Sequence, residues 1–370
     1  MNTSLFGEVS NEQFLKEYWQ KKPLLVRQAF QHFESPISPD ELAGLAMEEE
    51  SNSRLIIEKG QDWQVKHGPL AEEDFSSLPE KKWTLLVQHA DALDPEVNAL
   101  LQRFRFLPNW RLDDIMISYA SDGGGVGAHF DYYDVFLLQA GGTRRWRTGQ
   151  HCDANSPLVP NQPNQLLQDF ECENDWLVEA GDLLYIPAQV AHWGEAVNES
   201  MTWSIGFRAP SDNELLLDLS QHLASELVED QRYQDGPELI SQNSGEIADL
   251  SIQRIQQRLS KLLQEPDKIA HWLGQYATHL KPGLDPSALP LDFADDLKSG
   301  PLKLSSFNRV SYINSNEQVY TYINGQAYPT SLQLAKTLSH YESFTADNFE
   351  ASDQASLQDM LEAGLLLRSE

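Results

Sequence analysis

Two residues with metal-binding side chains stand two positions apart in the segment GGGVGAHFDYYDVFLLQAGGTRRW, which runs from Gly123 to Trp146. They are His129 and Asp131, and the alternating, aromatic-rich sequence around them is typical of a β-strand. Because residues i and i+2 of a strand point to the same face, the imidazole and the carboxylate would project side by side. Such a pair suits two ligands of one metal ion, and a third ligand must come from elsewhere in the chain.

The best candidate for that third ligand is His192, which ends the segment GDLLYIPAQVAH. Here an apolar strand leads through a proline-containing turn to a histidine, and the segment resembles the second signature motif of the cupin barrel. That motif usually has a glycine two residues after Pro187, where this chain has Gln189, so a different backbone geometry is expected in the turn. The other histidines have no ligand spacing and are expected to be surface or core residues: His32, His67, His89, His151, His222, His271, His279 and His340.

Two histidines and one carboxylate form a facial triad that leaves three coordination positions of Fe(II) open. A 2-oxoacid can chelate two of these positions, and dioxygen can take the third. This chemistry also needs a cation for the far carboxylate of the oxoacid. Arg144, in the sequence GTRRW one strand later, would form a bidentate, charge-assisted pair with it. Ser118, the aliphatic hydroxyl in the strand IMISYA, would add a hydrogen bond.

Other interpretations of these residues remain open. His-x-Asp occurs by chance in many proteins, so on its own it would favour a purely structural role for His129. The downstream Arg144 and the turn before His192 argue against that role. A cupin of different chemistry is one alternative, either a metal-dependent isomerase or a dioxygenase without 2-oxoglutarate, and Arg144 argues against it. A non-catalytic binding protein with a degenerate barrel is another, and the intact triad argues against it. The sequence does not assign Arg145 and Arg147 to the pocket or to its rim.

The composition limits the class of protein. With 370 residues the chain is too long for one ordinary core, so two or three domains are expected. No apolar run approaches the ~20 residues of a membrane span, and the N-terminal sequence does not resemble a secretion signal. The two cysteines, Cys152 and Cys172, fit a reducing compartment and argue against a disulfide framework. We therefore expect a cytoplasmic protein with no membrane association.

The formal net charge of −29 repels nucleic acid and anionic membranes and favours basic partners. Many soluble bacterial proteins are simply acidic, so this charge permits a basic partner without requiring one.

The pattern of elements predicts three domains. Short strands with glycine-rich turns, and no helical periods between them, predict an antiparallel barrel or sandwich at residues 1–210, which contains the three candidate ligands. From Ser211 to residue 281 the sequence becomes helical, with leucines at every fourth position from Leu215 to Leu227. Three helices with narrow apolar stripes predict either a small bundle or a dimerisation element.

The third predicted domain, residues 282–370, begins within the Pro- and Gly-rich segment KPGLDPSALP (residues 281–290), which is typical of a linker. In it, Asn324 and Gly325 separate the strand-like runs VYTYI and QAYP, which is a strong hairpin signal. Two strands with two or three short helices resemble a winged-helix unit. Lys and Arg are sparse there, whereas nucleic-acid binding needs a basic surface, so no direct nucleic-acid binding is expected.

Residues from about Asn11 to Pro210 resemble a JmjC-type 2-oxoglutarate oxygenase of the cupin superfamily. More narrowly, the segment DDIMISYASDGGGVGAHFDYYDVFLLQAGGTRRWRTG, the helical middle and the tail resemble the bacterial ribosomal oxygenases over essentially the whole chain. The resemblance implies an α+β fold: a double-stranded β-helix (jelly roll), a helical dimerisation domain and a winged-helix-like domain. It also implies a homodimer that uses Fe(II), 2-oxoglutarate and O2 to hydroxylate an arginine in the sixteenth protein of the large ribosomal subunit.

Carried over residue by residue, His129, Asp131 and His192 match the family's iron ligands, and Arg144 and Ser118 match its 2-oxoglutarate contacts. Animal relatives hydroxylate histidine, so the choice of arginine rests on the closer bacterial likeness. A cationic substrate side chain would favour a pocket of acids and aromatic residues, through carboxylate pairing and cation–π contact. Candidates for these contacts, with ordinary barrel packing as an equal alternative, are Asp122, Tyr132, Tyr133 and Trp193.

Overall fold

The structure is a computed structural model that describes residues 5–49, 51–60, 62–227, 232–234, 245–280, 291–298, 300–316 and 318–369. It divides into two compact units, one containing the described chain up to Ala209 and the other the described chain from Pro210 onward. The linker predicted at 281–290 lies outside the described residues. The finer division at 1–210, 211–281 and 282–370 stays a prediction.

The first unit contains fifteen named helices and strands and three short 3-10 turns (Ala90–Ala92, Leu101–Phe104 and Asn109–Arg111). In chain order the elements are α1 (Asn11–Glu17), β1 (Leu24–Val26), α2 (Pro39–Leu45), β2 (Asn52–Lys59), β3 (Asp62–His67), α3 (Glu72–Ser76), β4 (Trp83–Gln88), α4 (Pro95–Leu100), β5 (Leu112–Ala120), β6 (Val135–Gly141), β7 (Thr143–His151), β8 (Cys172–Glu179), β9 (Leu183–Ile186), β10 (Val190–Ala196) and β11 (Ser200–Phe207).

These strands form two antiparallel sheets. The larger has eight strands in the order β1-β9-β6-β11-β5-β4-β2-β3, and the smaller has the order β10-β7-β8. In the larger sheet β2 pairs with β3 and β4 with β5, whereas the other neighbours, such as β6 and β9, are not consecutive in the sequence. This order fits a jelly roll, and the predicted fold class is confirmed. The prediction of antiparallel β-structure succeeds because short alternating strands with tight turns have few other ways to bury one face.

Successive side chains of a strand point to opposite faces of the sheet, so one face packs in the main core and the other faces the smaller sheet. In β6, Phe136 and Leu138 point into the main apolar core, which they share with Phe14 of α1 and Leu42 of α2. The intervening residues of β6 point to the opposite face, toward the smaller sheet, where Val135 packs in a second cluster. The polar side chains of the inner face are therefore held on a sheet whose other face is firmly packed.

The segment with His129 and Asp131 is not the regular strand that the sequence predicted. Residues 121–134 connect β5 to β6 and contain two isolated bridges, Gly125 to Glu195 and His129 to His192. Gly127 has a positive φ of 83°, a conformation that interrupts a continuous β-ladder.

The second unit contains α5 (Asp212–Glu226), α6 (Asp249–Leu263), α7 (Pro266–Thr278), β12 (Leu302–Leu304), β13 (Val310–Ser315), β14 (Gln318–Ile323), β15 (Gln326–Pro329), α8 (Leu332–Ser339), a 3-10 turn at Ala346–Asn348, α9 (Ala351–Glu362) and β16 (Leu366–Arg368). A capping box formed by Ser211 and Glu214 starts α5. The predicted hairpin is present between β14 and β15, and both Asn324 and Gly325 have positive φ, as a type I′ turn requires.

Helix α7 packs on the strands of this unit, although the sequence analysis placed it in the helical domain together with α5 and α6. Gly274 of α7 faces the ring of Tyr322 in β14, where a Cβ atom would lie 2.4 Å from the ring. The Nδ1 atom of His271 in α7 lies 3.1 Å from the hydroxyl of the same tyrosine. Among the described residues, no helix is long and apolar enough to cross a membrane.

Candidate active site

Backbone hydrogen bonds bring the two motif segments together. The N–H of His129 donates to the carbonyl of His192 at 3.0 Å, and the N–H of His192 donates to the carbonyl of His129 at 2.8 Å. This single bridge replaces the regular strand expected at His129. It fixes a loop residue to a residue of β10, so both imidazoles project from one rigid point.

The three side chains of the predicted triad converge. Ligand atoms of His129, Asp131 and His192 all lie within 4.8 Å of one another, and no other such group of His, Cys, Asp or Glu is found in the described part of the chain. The Nε2 atoms of His192 and His129 lie 3.5 Å and 3.9 Å from Asp131 Oδ2. Two imidazoles and a carboxylate at this spacing fit a divalent metal ion.

The hydrogen bonds of the imidazoles select the tautomer that binds metal. Each Nδ1 lies 3.0 Å from a backbone carbonyl, that of Gly127 for His129 and that of Val190 for His192. A carbonyl only accepts, so Nδ1 carries the proton and the Nε2 lone pair faces Asp131. Burial lowers the pKa of His192 to about 4, which keeps this imidazole neutral, as a metal ligand must be.

Gln189, which stands in the place of a glycine, ties the turn before His192 to the rest of the site. Its φ of 65° lies in the left-handed region that glycine adopts without steric cost, so Gln189 has a backbone conformation that suits glycine. Its N–H donates to the carbonyl of Asp131 at 2.6 Å, and its Nε2 donates to the carbonyl of Cys152 at 3.1 Å. These bonds offset the cost of the left-handed backbone and link the turn to the carboxylate ligand.

The predicted cation for the oxoacid, Arg144, is buried in β7 with 3% of its surface exposed. Its Nη1 donates to the hydroxyls of Ser118 and Thr202, each at 3.4 Å. Burial lowers its pKa to about 10, so it stays charged at neutral pH. No carboxylate pairs with it in the described residues, and an unpaired buried ion costs several kcal/mol. The position is therefore suited to an anionic ligand.

Thr202 was missed by the sequence-based reasoning. It lies in the segment MTWSIGF, which contains no recognisable motif. Strand pairing places it directly opposite Ser118, because β11 runs antiparallel to β5 in that register. Only the register of two strands far apart in the sequence reveals that both hydroxyls meet Arg144.

The triad, Arg144 and Ser118 line one cavity. Other residues that line it include Asp114, Met116, Tyr133, Trp146, Ser204 and Gly206.

Comparisons with known proteins identify the family. The family model of the JmjC domain matches residues 99–215, and that of the ROXA-like winged helix matches residues 261–367. The chain is 35% identical over 363 residues to the ribosomal protein uL16 3-hydroxylase of Escherichia coli (strain K12), which covers 95% of this chain and 94% of the relative. The chain belongs to the JmjC-domain ribosomal oxygenase family.

A second relative and a solved structure are also similar to this chain. A probable ribosomal oxygenase of Haemophilus influenzae is 39% identical over 269 residues, 71% of this chain and 65% of the relative. The structure of the Escherichia coli ribosomal oxygenase YcfD in complex with cobalt and 2-oxoglutarate has a TM-score of 0.82 and 32% identity, covering 95% of each chain. The winged-helix match begins at residue 261, before α7, in agreement with the packing of α7 on β14.

The structure separates the four candidate substrate contacts of this ribosomal oxygenase. Tyr133 lines the cavity, whereas Tyr132 is 53% exposed and packs edge-on against Phe130. Asp122 does not line the cavity and forms a salt bridge with Lys81 at 2.6 Å. These positions show that an acidic residue near the motif in sequence need not face the site.

Trp193 also lies outside the cavity lining, because it alternates with His192 along β10. Its ring packs under the guanidinium of Arg147, 4.5 Å away. Arg147 in turn pairs with Glu195 at 3.3 Å, and Arg145 pairs with Asp175 at 2.7 Å. Neither arginine lines the cavity that Arg144 occupies.

The carboxylate that does line the cavity beside the triad is Asp114, which the sequence-based reasoning did not select. It lies on β5, four residues before Ser118, and Met116 lies between them. Alternation along a strand places all three on one face, and this pattern was the available signal. The alternation assigns Asp114 to the cavity only when Ser118 is already known to face the cavity.

Proposed function

We propose that this chain is an Fe(II)- and 2-oxoglutarate-dependent oxygenase that hydroxylates an arginine side chain of the large-subunit ribosomal protein uL16. The observation that carries the proposal is the placement of Arg144, without a carboxylate partner among the described residues, in the same cavity as the triad. The relative named uL16 3-hydroxylase and the cobalt and 2-oxoglutarate complex of YcfD support it.

In this proposal, His129, Asp131 and His192 hold the iron through two Nε2 atoms and a carboxylate oxygen. A triad of this kind leaves three positions for the cosubstrate and O2. The iron, when bound, supplies oxygen activation coupled to decarboxylation of 2-oxoglutarate. The protein contributes two imidazoles, oriented by the carbonyls of Gly127 and Val190.

Arg144 binds the distal carboxylate of 2-oxoglutarate, with Ser118 and Thr202 beside it. Removal from water strengthens the pairing of a guanidinium with a carboxylate. The guanidinium also lies 5.0 Å from the ring of Trp146, which restricts its position. The cosubstrate would thus be aligned between a fixed cation and the metal.

The substrate side chain is assigned to the part of the cavity around Asp114. A carboxylate suits a guanidinium, and Tyr133 provides an aromatic ring in the same lining. The alternative residue type is histidine, which is less cationic at neutral pH and gains less from Asp114. The net charge of −29 favours a basic protein as partner.

The proposal is tested by incubating purified protein with Fe(II), 2-oxoglutarate and uL16 from the same organism. We expect succinate release and a mass gain of one oxygen atom on a single arginine, located by fragmentation mass spectrometry. An Asp131→Ala variant should give neither product, and a Cys172→Ala variant, changed at an exposed thiol, should behave as wild type. An oxygen gain on another residue type or another protein would contradict the assigned substrate.

We also propose a homodimer formed through α6. This helix has no buried residue, and Ile252, Ile255, Leu259 and Leu263 are between 43% and 57% exposed along one side. Such an apolar stripe is typical of an interaction surface. Light scattering should give a dimer mass for wild type and a monomer mass for Ile255→Lys combined with Leu259→Lys. Gln256→Lys is the matched control, and a wild-type monomer would contradict the proposal.

The ribosomal substrate supports a cytoplasmic location. Basic residues are sparse in the winged-helix unit, so we propose that it contacts protein rather than nucleic acid. Absence of a gel shift with ribosomal RNA fragments at low salt is the expected result.

A further inference from the structure

Asp114, the carboxylate assigned to the substrate, is held by a histidine without a role in the function proposed above. His89 directly follows β4, and its Nδ1 lies 2.7 Å from Asp114 Oδ2. The backbone N–H of His89 donates to the same oxygen at 3.2 Å. The two side chains are only 17% and 14% exposed. One residue therefore directs its side chain and its backbone at one carboxylate oxygen.

The backbone of His89 is arranged for this double contact. Its φ of 56° and ψ of 31° lie in the left-handed region, which is uncommon outside glycine and in which Asn, Asp and His are enriched. The next turn is attached to the same strand, because Asp91 Oδ1 accepts the N–H of Ile115 at 2.7 Å. His89 and Asp91 thus form hydrogen bonds with two consecutive residues of β5, Asp114 and Ile115.

The other oxygen of Asp114 lies beside a glycine. A Cβ atom on Gly206 of β11 would stand 3.3 Å from Asp114 Oδ1, closer than an ordinary contact. Gly206 lines the cavity together with Asp114, and its φ is not among the positive values that would require glycine. The backbone conformation of Gly206 therefore tolerates a side chain. Any such side chain would, however, reduce the space beside Asp114 Oδ1.

We propose that His89 and Gly206 are positioning residues for the substrate: His89 fixes the Asp114 carboxylate through Oδ2, and Gly206 keeps space beside Oδ1 for the cationic side chain. The inference rests on the proposed function, because it requires a guanidinium at Asp114. A carboxylate that is already oriented loses less conformational freedom when it binds a cation, so the effect falls on substrate affinity.

The test compares two substitutions at His89 that keep the left-handed backbone accessible. His89→Asn places an amide N–H near the position of Nδ1, and His89→Gly removes the side-chain donor. We expect His89→Gly to raise the KM for a uL16 peptide by about tenfold, the effect of one charge-assisted hydrogen bond, and His89→Asn to restore most of it. The kcat and the KM for 2-oxoglutarate should stay within twofold of wild type.

His32 provides the matched control. It is an exposed histidine that also has a positive φ, 55°, so His32→Gly changes the same residue type in the same backbone region. This variant should leave the KM for the peptide unchanged. Gly206→Ala supplies an independent variant should His89→Gly unfold, and it should raise the KM for the peptide with little effect on the KM for 2-oxoglutarate.

The outcomes separate the two proposals. If wild type fails to hydroxylate the uL16 peptide, the proposed function is wrong. If wild type hydroxylates it and neither His89→Gly nor Gly206→Ala changes the KM for the peptide, the inference on Asp114 is overturned. Equal losses in both KM values, or failure of His89→Asn to restore affinity, would also overturn it, because these results indicate a general structural role.

Discussion

His129 and His192 are joined through their backbones by two hydrogen bonds, at 3.0 and 2.8 Å, which need no metal ion to form. The bridge holds one ligand in a loop and the other in β10, and their Nδ1 atoms are each engaged by a carbonyl. The site is therefore oriented by the protein itself, which lowers the cost of arranging ligands around an ion.

Loss of one triad side chain should remove metal binding. We expect His192→Ala to lower the affinity for Mn(II), measured anaerobically by calorimetry, by at least a hundredfold, since two ligands remain. His151→Ala, changed at an exposed histidine of β7, is the control and should bind as wild type. Unchanged affinity in His192→Ala would remove this residue from the metal site.

Arg144→Ala should raise the KM for 2-oxoglutarate by about a hundredfold, because charge-assisted hydrogen bonds to a buried carboxylate are lost. Arg145→Ala is a closely matched control, as its neighbouring guanidinium is exposed and pairs with Asp175 instead. Thr202→Val should give a smaller increase in the same KM. Equal effects of the substitutions at 144 and 145 would contradict the assignment of the anchor.

Gln189 allows a test of the turn before His192. Gln189→Gly relieves a left-handed backbone but removes a hydrogen bond to Cys152, so the free energy of unfolding should change by less than about 1 kcal/mol. Gln189→Val places a β-branched residue at a φ of 65° and should destabilise the protein by about 2 kcal/mol. Chemical denaturation measures both values, and a more stable valine variant would show that the turn carries no such strain.

Asp91 gives a prediction on pH. Burial raises its pKa to about 6, so the folded state retains the proton that the unfolded chain loses near pH 4. This group therefore favours folding below pH 4, and its contribution is lost as the pH rises toward 6. Relative to wild type, Asp91→Asn should gain roughly 2 to 3 kcal/mol in free energy of unfolding between pH 4 and 7. A difference between the two proteins that does not vary with pH would contradict this.

Several features were determined by the sequence alone. The spacing of His129 and Asp131 and the turn leading to His192 predicted the three side chains that the structure brings together, and Arg144, predicted as the cosubstrate anchor, lines the same cavity. The hairpin at Asn324-Gly325 and the capping box at Ser211 were also predictable, since the physical causes of both are local. Local backbone preferences and side-chain chemistry are carried by neighbouring residues, so they can be read without the fold.

The tertiary structure decided what surrounds these residues. Thr202 meets Arg144 through the pairing of β11 with β5, and His89 reaches Asp114 through the turn that follows β4. Asp122, nearer to the triad in sequence, lies outside the cavity that Asp114 lines. These relationships depend on strand register and on which face of a sheet is covered. Both result from packing between distant parts of the chain, which local periodicity does not encode.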